Sequence, residues 1–324
     1  MLKVVGFFVN KEKLLCIIGP TAVGKTKLSI DLAKQFHGEI ISGDSMQIYR
    51  GLDIGTAKIS KEEMKGIPHH LIDIKNPDES FSVYDFQQLV RKKISAITDR
   101  NHLPMVVGGT GLYIQAVIYD YQFSNQGKNN KIRSLLEERV KLEGIERLYQ
   151  YLSKVDPETA RQIHPNNERR VIRALEVYFS TGQTMAELKA KQQYTLLYDV
   201  AIVGLTMNRD ILYKRINERV DQMIENGLIN EAKALYDQGF KNVQATQAIG
   251  YKELFAYFDG KITLEEAVDQ LKQNTRHFAK RQLTWFRNKM DVEWFDITNL
   301  KEYEKNLQKI SDFVAGKLHL RANI

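Results

Sequence analysis

The stretch that most constrains the fold is a glycine-bounded loop near the N-terminus, which reads GPTAVGKT over residues 19–26. The apolar run LLCII precedes it and helically spaced apolar residues follow it, so strand, loop and helix come in succession. This is the setting of the G-x-x-x-x-G-K-[ST] phosphate loop, where backbone N–H groups and a helix N-terminus converge on an anion. Lys25 adds positive charge, and the Thr26 hydroxyl is a potential Mg²⁺ ligand. The loop predicts a bound polyphosphate without specifying ATP.

The bulk composition allows a large core and excludes several classes of protein. With 324 residues, the chain can form one large or two modest domains. The net charge of +7 is mild, so it indicates a nucleic-acid partner only where basic residues cluster. The single cysteine, Cys16, excludes an internal disulfide framework and fits a reducing cytosol, so we expect a cytoplasmic protein. The apolar cluster at 4–9 is too short to span a membrane, and we interpret it as a loose N-terminal extension of a protein without membrane association.

Strand and helix patterns alternate in the first and last parts of the chain. Apolar runs predict strands at 14–18, 39–42, 70–74, 104–107, 200–205 and 292–295. Helical periodicity predicts helices at 25–36, 82–100, 209–239 with a break near Gly227, and 263–290, followed by a charged C-terminal helix. This alternation is typical of a parallel sheet with crossover helices, so we predict a P-loop NTPase-like α/β fold flanked by helices.

The middle of the chain departs from this alternation. Residues 121–130 are polar and rich in turn formers, and 129–191 show only helical periodicity. We therefore expect the first part of the α/β core over 1–120, an all-helical insertion over 121–195, and the second part of the core over 196–324.

Asp44 is the best catalytic candidate because it directly follows the second strand. Ligands of parallel sheets bind at the carboxyl ends of the strands, so the phosphate loop, Asp44 and Thr110 are expected to share one crevice. Asp44 is suited either to bind Mg²⁺ through water or to act as a base, and an Asx turn is the structural alternative. Phosphate-loop hydrolases usually carry a second acid after an apolar strand. Here that strand ends in glycines and Asp73 is the only other candidate, which weakens the ATPase and GTPase interpretations.

Basic residues cluster in two helical regions. Arg169, Arg170 and Arg173 lie close together in the insertion, and residues 270–290 carry several lysines and arginines without an acid. Such stripes are either solvated faces or phosphate-binding surfaces. Arg215 follows the strand at 200–205 and is expected either to reach the crevice or to pair with a nearby glutamate on its own helix.

Several sequence blocks together resemble one family. They are GPTAVGKT at 19–26, SGDSMQIY at 42–49, GLDIGTAK at 51–58, GGTGLY at 108–113, IHPN at 163–166 with Arg170 and RALE at 173–176, GY at 250–251, and KRQLTWFR at 280–287. In this order, over residues 14 to 296, they resemble the bacterial tRNA dimethylallyltransferases of the IPP transferase family. Val23 departs from the small polar residue expected there, at a position of the loop that varies.

The resemblance implies transfer of a dimethylallyl group from dimethylallyl diphosphate to N6 of the adenosine that follows the anticodon, position 37 of tRNA. It implies Mg²⁺ as cofactor and Asp44, Lys25, Thr26 and Arg215 as the catalytic residues, with Asp44 accepting the proton of the adenine amine. The implied contacts to diphosphate are Gly19, Pro20, Thr21, Ala22, Val23, Gly24, Lys25 and Thr26.

The acceptor adenosine is expected to leave its stack, while a second surface grips the anticodon stem-loop. We expect the protein to act as a monomer on tRNA. The expected tRNA contacts are Asp44, Ser45, Met46, Gln47, Thr110, Arg133, Arg169, Arg170, Val171, Ile172, Arg173, Gln247, Gly250, Tyr251, Lys252, Arg276, Lys280 and Arg281.

Three alternative functions remain open at this point. A small-molecule kinase would bind ATP on the loop, use Asp44 to activate a hydroxyl, and use the insertion as a lid. An adenylate isopentenyltransferase would share the chemistry but act on a free nucleotide, which needs no additional basic helices. A non-enzymatic RNA-binding module would give Asp44 no role.

Overall fold

A computed structural model describes residues 11–123 and 129–322, so the expected extension at 4–9 lies outside the described residues. Within them, six strands form one sheet in which every neighbouring pair is parallel. The strands are β1 (Lys13–Ile18), β2 (Gly38–Ser42), β3 (His69–His70), β4 (Leu103–Gly108), β5 (Asp199–Thr206) and β6 (Glu293–Asp296). They lie in the order β3-β2-β4-β1-β5-β6. The predicted parallel α/β fold is confirmed.

Helices lie on both sides of this sheet and in a separate helical unit. They are α1 (Lys25–Gln35), α2 (Val83–Thr98), α3 (Gly111–Ile118), α4 (Asn130–Glu143), α5 (Ile145–Val155), α6 (Pro157–Gln162), α7 (Glu168–Thr181), α8 (Met185–Ala190), α9 (Arg209–Glu225), α10 (Leu228–Asp237), α11 (Tyr251–Phe258), α12 (Leu264–Lys289) and α13 (Tyr303–Leu318). Local sequence explains several starts: Ser82 and Asp85 form a capping box before α2, and Thr263 and Glu266 form another before α12. Along the described residues, no helix is both long enough and apolar enough to cross a bilayer.

The central strands are buried on both faces, which explains why their sequences are unbroken apolar runs. Side chains alternate along a strand, and in β1 Leu15 and Ile17 join an apolar cluster with residues of α1 and α13. Cys16, which lies between them and points to the opposite face, is equally buried. A sheet covered on both faces gives a rigid base for the loops at its edge.

The strand register brings three loops to one edge of the sheet. Ile18 of β1 is in register with Gly108 of β4, and Ser42 of β2 is in register with Val107 of β4. The loops that follow these strands carry the phosphate loop, Asp44 and Thr110. They therefore leave the sheet at nearly the same level, as the strand-end argument predicts.

The chain divides into two compact units, Met1–Ile118 with Leu196–Ile324, and Tyr119–Thr195. These bounds lie close to the expected ones at 120 and 195. The second unit contains α4 to α8 and has an apolar core of its own, which includes Leu136, Leu148, Leu152, Val171 and Leu175. The Asp156 side chain caps α6 and the Asn167 side chain caps α7, so two of its helices begin where the sequence indicates.

The strand predicted at 70–74 is wrong. The strand β3 covers only His69–His70, and Leu71 and Asp73 adopt left-handed conformations with φ of 62° and 55°. A strand requires extended backbone, so the chain turns away from the sheet here. The Asp73 carboxylate is bound at 2.5 Å by Lys58, and this ion pair holds the turn.

Candidate active site

The phosphate loop is a tight turn between β1 and α1. Gly24 is the N-cap of α1 and has a φ of 108°, a conformation that is strained for residues with a side chain. At Gly19, an added Cβ would lie 2.8 Å from the carbonyl oxygen of Leu205, so the loop backbone packs directly against β5. The two glycines allow the loop to present the N-terminus of α1 to a cavity lined by Gly24, Lys25 and Thr26.

Lys25 folds back over this loop, where its Nζ donates to the carbonyl oxygens of Gly19 at 2.9 Å and Pro20 at 2.7 Å. Burial and the neighbouring Arg219 guanidinium lower the pKa of Lys25 to about 7, against the opposing effect of Asp44. Burial likewise lowers the pKa of Arg219, an effect that Asp44 counteracts and Arg215 reinforces. The loop therefore gathers positive charge with little nearby negative charge, which favours an anionic ligand.

Asp44 follows β2, and one of its two carboxylate oxygens accepts a hydrogen bond from the backbone. Its Oδ1 accepts the backbone N–H of Met46 at 2.8 Å, which forms the Asx turn considered as the structural alternative. Among the described residues, no hydrogen bond to Oδ2 is found. The turn fixes the orientation of the carboxylate, and the second oxygen is left to accept a proton or a hydrogen bond from a ligand.

Two adjoining cavities meet at Asp44. The first, of about 470 Å³, is lined by the phosphate loop, Arg215 and Arg219. The second, of about 320 Å³, is lined by Ser45, Met46, Thr110, Gln247, Ala248, Ile249, Lys252 and Arg281, among others. Both are lined by Thr21, Ala22, Asp44, Thr56, Ala57, Arg219 and Phe278. This arrangement provides one compartment for an anion and another for a second substrate, with a carboxylate between them.

Gln282 is a site residue that the sequence argument missed. It is buried on α12, where its Oε1 accepts the Thr21 N–H at 2.9 Å and its Nε2 donates to the Gly109 carbonyl oxygen at 3.0 Å. The amide thus joins the phosphate loop to the loop after β4. Its spacing from the apolar Ala279 and Phe286 places it on the buried face of a basic helix, a signal that could have identified it.

Glu231 and Arg219 were also missed. The Glu231 carboxylate accepts the N–H groups of residues 53, 54 and 55 at 2.8, 2.8 and 3.0 Å, and the Tyr251 hydroxyl at 2.6 Å. It fixes the GLDIGTAK loop, whose Thr56 and Ala57 line both cavities. No local pattern marks Glu231, whereas Arg219 follows Arg215 by one helical turn and was recognisable from that spacing.

The first unit brings most of its expected site residues together. The cavities are lined by Thr21, Ala22, Gly24, Lys25, Thr26, Asp44, Ser45, Met46, Thr110, Arg215, Gln247, Lys252 and Arg281. The expected pairing of Arg215 with a helix glutamate is not seen among the described ion pairs, where Glu218 instead pairs with Lys214 at 3.9 Å.

Three expected contacts of the first unit are corrected by burial. Val23 is 0% exposed, so its side chain packs in the core and does not contact a ligand. Tyr251 is also 0% exposed and its hydroxyl is bound to Glu231, which excludes it as an RNA contact. Gly250 is buried as the N-cap of α11. The Gln47 amide bonds to Ser42, Thr56 and Ala57, but the residue also lines the first cavity, so its contact with the substrate stays a prediction.

Two residues of the basic helix α12 lie away from the cavities just described. Arg276 donates to the Asn217 side chain at 2.6 Å, in a separate polar depression. Lys280 is exposed and remains available as a surface cation. The expectation of tRNA contacts at these two positions stays a prediction.

In the helical unit, the expected tRNA contacts fall into three groups. Val171 and Ile172 are 0% and 4% exposed in its apolar core, which excludes them as RNA contacts. Arg133 and Arg173 each lie 3.1 Å from the buried carboxylate of Glu176. Arg169 and Arg170 are exposed, so they retain the strongest case for contact with phosphate.

The chain is similar to known proteins over most of its length. The IPP transferase family model matches residues 47–289 of this chain. The tRNA dimethylallyltransferase of Anoxybacillus flavithermus is 59% identical over 313 residues, covering 97% of this chain and 99% of its own. That of Geobacillus thermodenitrificans is 58% identical with the same coverage.

Solved structures give the same result. A crystal structure of the full-length tRNA isopentenylpyrophosphate transferase from Bacillus halodurans is 56% identical, with a TM-score of 0.73 and coverage of 95% of this chain and 97% of its own. A eukaryotic dimethylallyltransferase captured acting on tRNA is 32% identical, with a TM-score of 0.81 and coverage of 94% and 80%.

Proposed function

The chain belongs to the IPP transferase family, and from that premise we propose that it transfers a dimethylallyl group from dimethylallyl diphosphate to N6 of adenosine 37 of tRNA. The observation that carries the proposal is the position of Asp44, where a cavity lined by a phosphate loop meets a cavity lined by polar and basic side chains. We further propose that the protein acts as a monomer in the cytoplasm.

The first cavity suits the diphosphate of the donor. The N-terminus of α1, the Lys25 ammonium and the guanidinium groups of Arg215 and Arg219 all line it. A diphosphate bound there would raise the lowered pKa of Lys25 and replace the two carbonyl contacts that its Nζ makes within the loop. Donor binding would therefore reduce the electrostatic cost of keeping the buried Lys25 ammonium charged.

Mg²⁺ fits the oxygen donors of this cavity. The Thr26 hydroxyl lines it, and Mg²⁺ is commonly held by few protein oxygens together with substrate phosphates. In the described part of the chain, no group of three His, Cys, Asp or Glu side chains is arranged to hold a metal. With Thr26 as a ligand, the diphosphate and water would complete the coordination. Bound there, Mg²⁺ supplies positive charge that stabilises the departing diphosphate.

The reaction is a substitution at C1 of the dimethylallyl group. The N6 lone pair forms the N–C1 bond while the C1–O bond breaks, and the electrons of that bond leave with diphosphate. N6 then carries one proton too many, which the Asp44 carboxylate accepts. Lys25, Arg215, Arg219 and the loop N–H groups stabilise the negative charge that develops on the leaving group.

The second cavity suits the acceptor adenine. An adenine in an anticodon loop has to leave its stack before its N6 reaches a carboxylate inside the protein. Ser45 and Thr110 offer hydroxyl groups in this cavity, and Lys252 and Arg281 provide positive charge beside it. A flipped adenine placed there would meet the donor at Asp44.

A labelling experiment tests the proposal against the alternatives. The protein is incubated with labelled dimethylallyl diphosphate and either unmodified tRNA, the same tRNA with guanosine at position 37, or AMP. Label is expected in the first RNA alone. Label in AMP would instead identify a free-nucleotide prenyltransferase, and phosphate transfer from ATP without prenyl transfer would identify a kinase.

A further inference from the structure

We propose that the apolar end of the first cavity limits the donor's hydrocarbon chain to five carbons, with Ile59 and Ile72 as the limiting residues. The inference rests on the proposed function, because it concerns the tail of the prenyl donor at the same site. It assigns the selection of the donor to particular residues, which the names of the related proteins do not do.

The lining of the first cavity differs in polarity from one side to the other. The phosphate loop, Arg215 and Arg219 provide its cationic part. Ile40, Ile59, Ile72 and Val107 line the same cavity and carry no polar side-chain atom. A diphosphate with a hydrocarbon tail matches this division, since the head group requires charge and the tail gains from leaving water.

Strand register places the apolar residues together. Ile40 of β2 is in register with His69 of β3, and Ile72 follows three residues later, after the turn. Ile59 packs against the apolar cluster to which Ile40 belongs. Together with Val107, these residues make up the apolar lining of the cavity, which we call the isoleucine wall.

The polar residues beside this wall are already satisfied or uncharged. The Ser29 hydroxyl donates to the Thr26 carbonyl oxygen at 2.8 Å. His69 uses Nδ1 in a 2.8 Å hydrogen bond with the Ile67 carbonyl oxygen, and burial lowers its pKa, which favours the neutral ring. This end of the cavity consequently presents no charge to a bound tail.

The stereochemistry of the transfer requires such a wall. In a substitution at C1, the attacking N6 and the leaving oxygen lie on opposite sides of the carbon, so the hydrocarbon tail leaves C1 to one side of that axis. The phosphate loop occupies one end of the axis and the adenine the other. Of the other apolar residues in the lining, Ala22, Ala57 and Phe278 also line the second cavity, on the acceptor side. The isoleucine wall is therefore the lining left for the tail, and it determines how long the tail can be.

The wall is held in place by an ion pair, because Ile59 is the chain neighbour of Lys58 and Ile72 is the chain neighbour of Asp73, which pairs with Lys58. The Lys58 ammonium, whose side chain is 5% exposed, donates to the Tyr49 carbonyl oxygen and pairs with Asp53 and Asp73. Ile59 follows Lys58 and Ile72 precedes Asp73 in the chain. A longer tail therefore cannot simply push the two isoleucines apart.

The test compares two donors on each variant. Replacing isoleucine by alanine removes three carbon atoms, so Ile59→Ala with Ile72→Ala opens space comparable to the five additional carbons of geranyl diphosphate. Wild-type protein is expected to prefer dimethylallyl over geranyl diphosphate strongly. In the double variant, we expect the ratio of the two kcat/KM values to fall by about 10- to 100-fold, as for other apolar specificity pockets. Mass spectrometry of the tRNA identifies the attached group.

Ile67→Ala is the matched control. Ile67 is a half-buried isoleucine of the same loop region that packs against the core but does not line the cavity. Its substitution removes three carbon atoms, as each of the two changes in the double variant does, and should leave the donor ratio unchanged. An equal fall in this control would overturn the proposal, because the effect would then reflect general loosening.

The remaining outcomes separate the inference from the proposed function. Normal dimethylallyl transfer by the wild type with an unchanged ratio in the double variant overturns the inference alone. Failure of the wild type to label tRNA with either donor overturns both. If the double variant does not fold, Ile72→Phe decides, since filling the wall should raise the KM for dimethylallyl diphosphate and leave the KM for tRNA unaltered; an unchanged donor KM contradicts the proposal.

Discussion

The phosphate-loop site and the helical insertion both carry clustered cations in sequence, yet the structure treats these charges differently. In the site, burial lowers the pKa values of Lys25 and Arg219, and Asp44 is the acidic group that counteracts both effects. In the insertion, Arg133 and Arg173 share the buried carboxylate of Glu176. The positive charge of the phosphate-loop site is thus available to bind an anion, whereas that of the insertion is partly neutralised within the protein.

A cluster of basic residues in the sequence does not show whether its charge is free, because the acidic partners can lie elsewhere in the chain. Glu176 lies three residues after Arg173 on the same helix, but it also reaches Arg133 across to α4. Buried cations that lack acidic partners favour the binding of phosphate, whereas arginines paired with a carboxylate contribute mainly to the stability of the fold. The following experiments test that contrast.

The largest effect is expected at Asp44. Asp44→Ala should reduce turnover by about 10²- to 10⁴-fold, because Asp44 is the carboxylate that lines both cavities and is thereby placed to accept the N6 proton. The affinity for tRNA, measured by fluorescence anisotropy, should change little. Asp44→Asn separates the two roles of the residue, since the amide oxygen still accepts the Met46 N–H but the side chain cannot act as a base. Near-normal turnover in the asparagine variant would reduce Asp44 to a turn former.

A direct comparison of arginines comes next. Arg219→Gln should lower kcat/KM for dimethylallyl diphosphate by about 10²- to 10³-fold, as for the loss of a charge that stabilises a leaving group. Arg173→Gln, the same change in the insertion, should alter this parameter by less than about threefold at saturating tRNA, because that guanidinium pairs with Glu176. Steady-state kinetics checks both, and equal losses would abolish the contrast between the regions.

A smaller effect is expected in the pH dependence of anion binding. Lys25 has a pKa of about 7 in the protein, and a bound anion favours its charged form. Binding therefore takes up a proton above pH 7, and affinity should fall by up to about tenfold per pH unit as pH rises further. Calorimetry with inorganic diphosphate from pH 6.5 to 8.5 measures this. Lys25→Arg keeps the charge, so its profile should be flatter; parallel profiles would assign the proton to another group.

The smallest effect concerns the insertion. Arg169→Gln with Arg170→Gln should reduce the slope of log affinity for tRNA against log salt by about one unit per lost phosphate contact. Arg133→Gln with Arg173→Gln should reduce it less, because Glu176 already compensates these cations. A slope unchanged in the first pair would mean that neither exposed arginine contacts RNA phosphate. A larger change in the second pair would reverse the order proposed here.

Much of the fold was accessible from local patterns. The apolar runs gave the central strands because those strands are buried on both faces, and the helix starts followed capping residues such as Ser82 and Asn167. The run at 70–74 failed because apolar character does not reveal that Leu71 and Asp73 take positive φ values. Asp73 forms an ion pair with Lys58, which lies 15 residues earlier and outside the run itself.

The sequence predicted some residues of the site correctly, but it misassigned or missed others. Residues that follow strand ends were found because parallel strands end at a common edge, which places Asp44 and Thr110 near the phosphate loop. Tyr251, Val171 and Ile172 were misassigned because motif membership does not distinguish a buried residue from a ligand contact. Glu231 escaped notice because its role is visible only in the loop that it binds, whereas the spacing of Gln282 from Ala279 and Phe286 was an available signal.

By itself, the sequence determined the anion-binding turn, the alternation that builds a parallel sheet, and the helical nature of residues 129–191. These properties arise from backbone preferences and from the spacing of apolar side chains along a few turns or strands. Only the tertiary structure decided which cations lack acidic partners and which carboxamide joins Thr21 to Gly109. Charge compensation and burial depend on neighbours that are remote in the chain, as with Thr21 and Gln282, 261 residues apart.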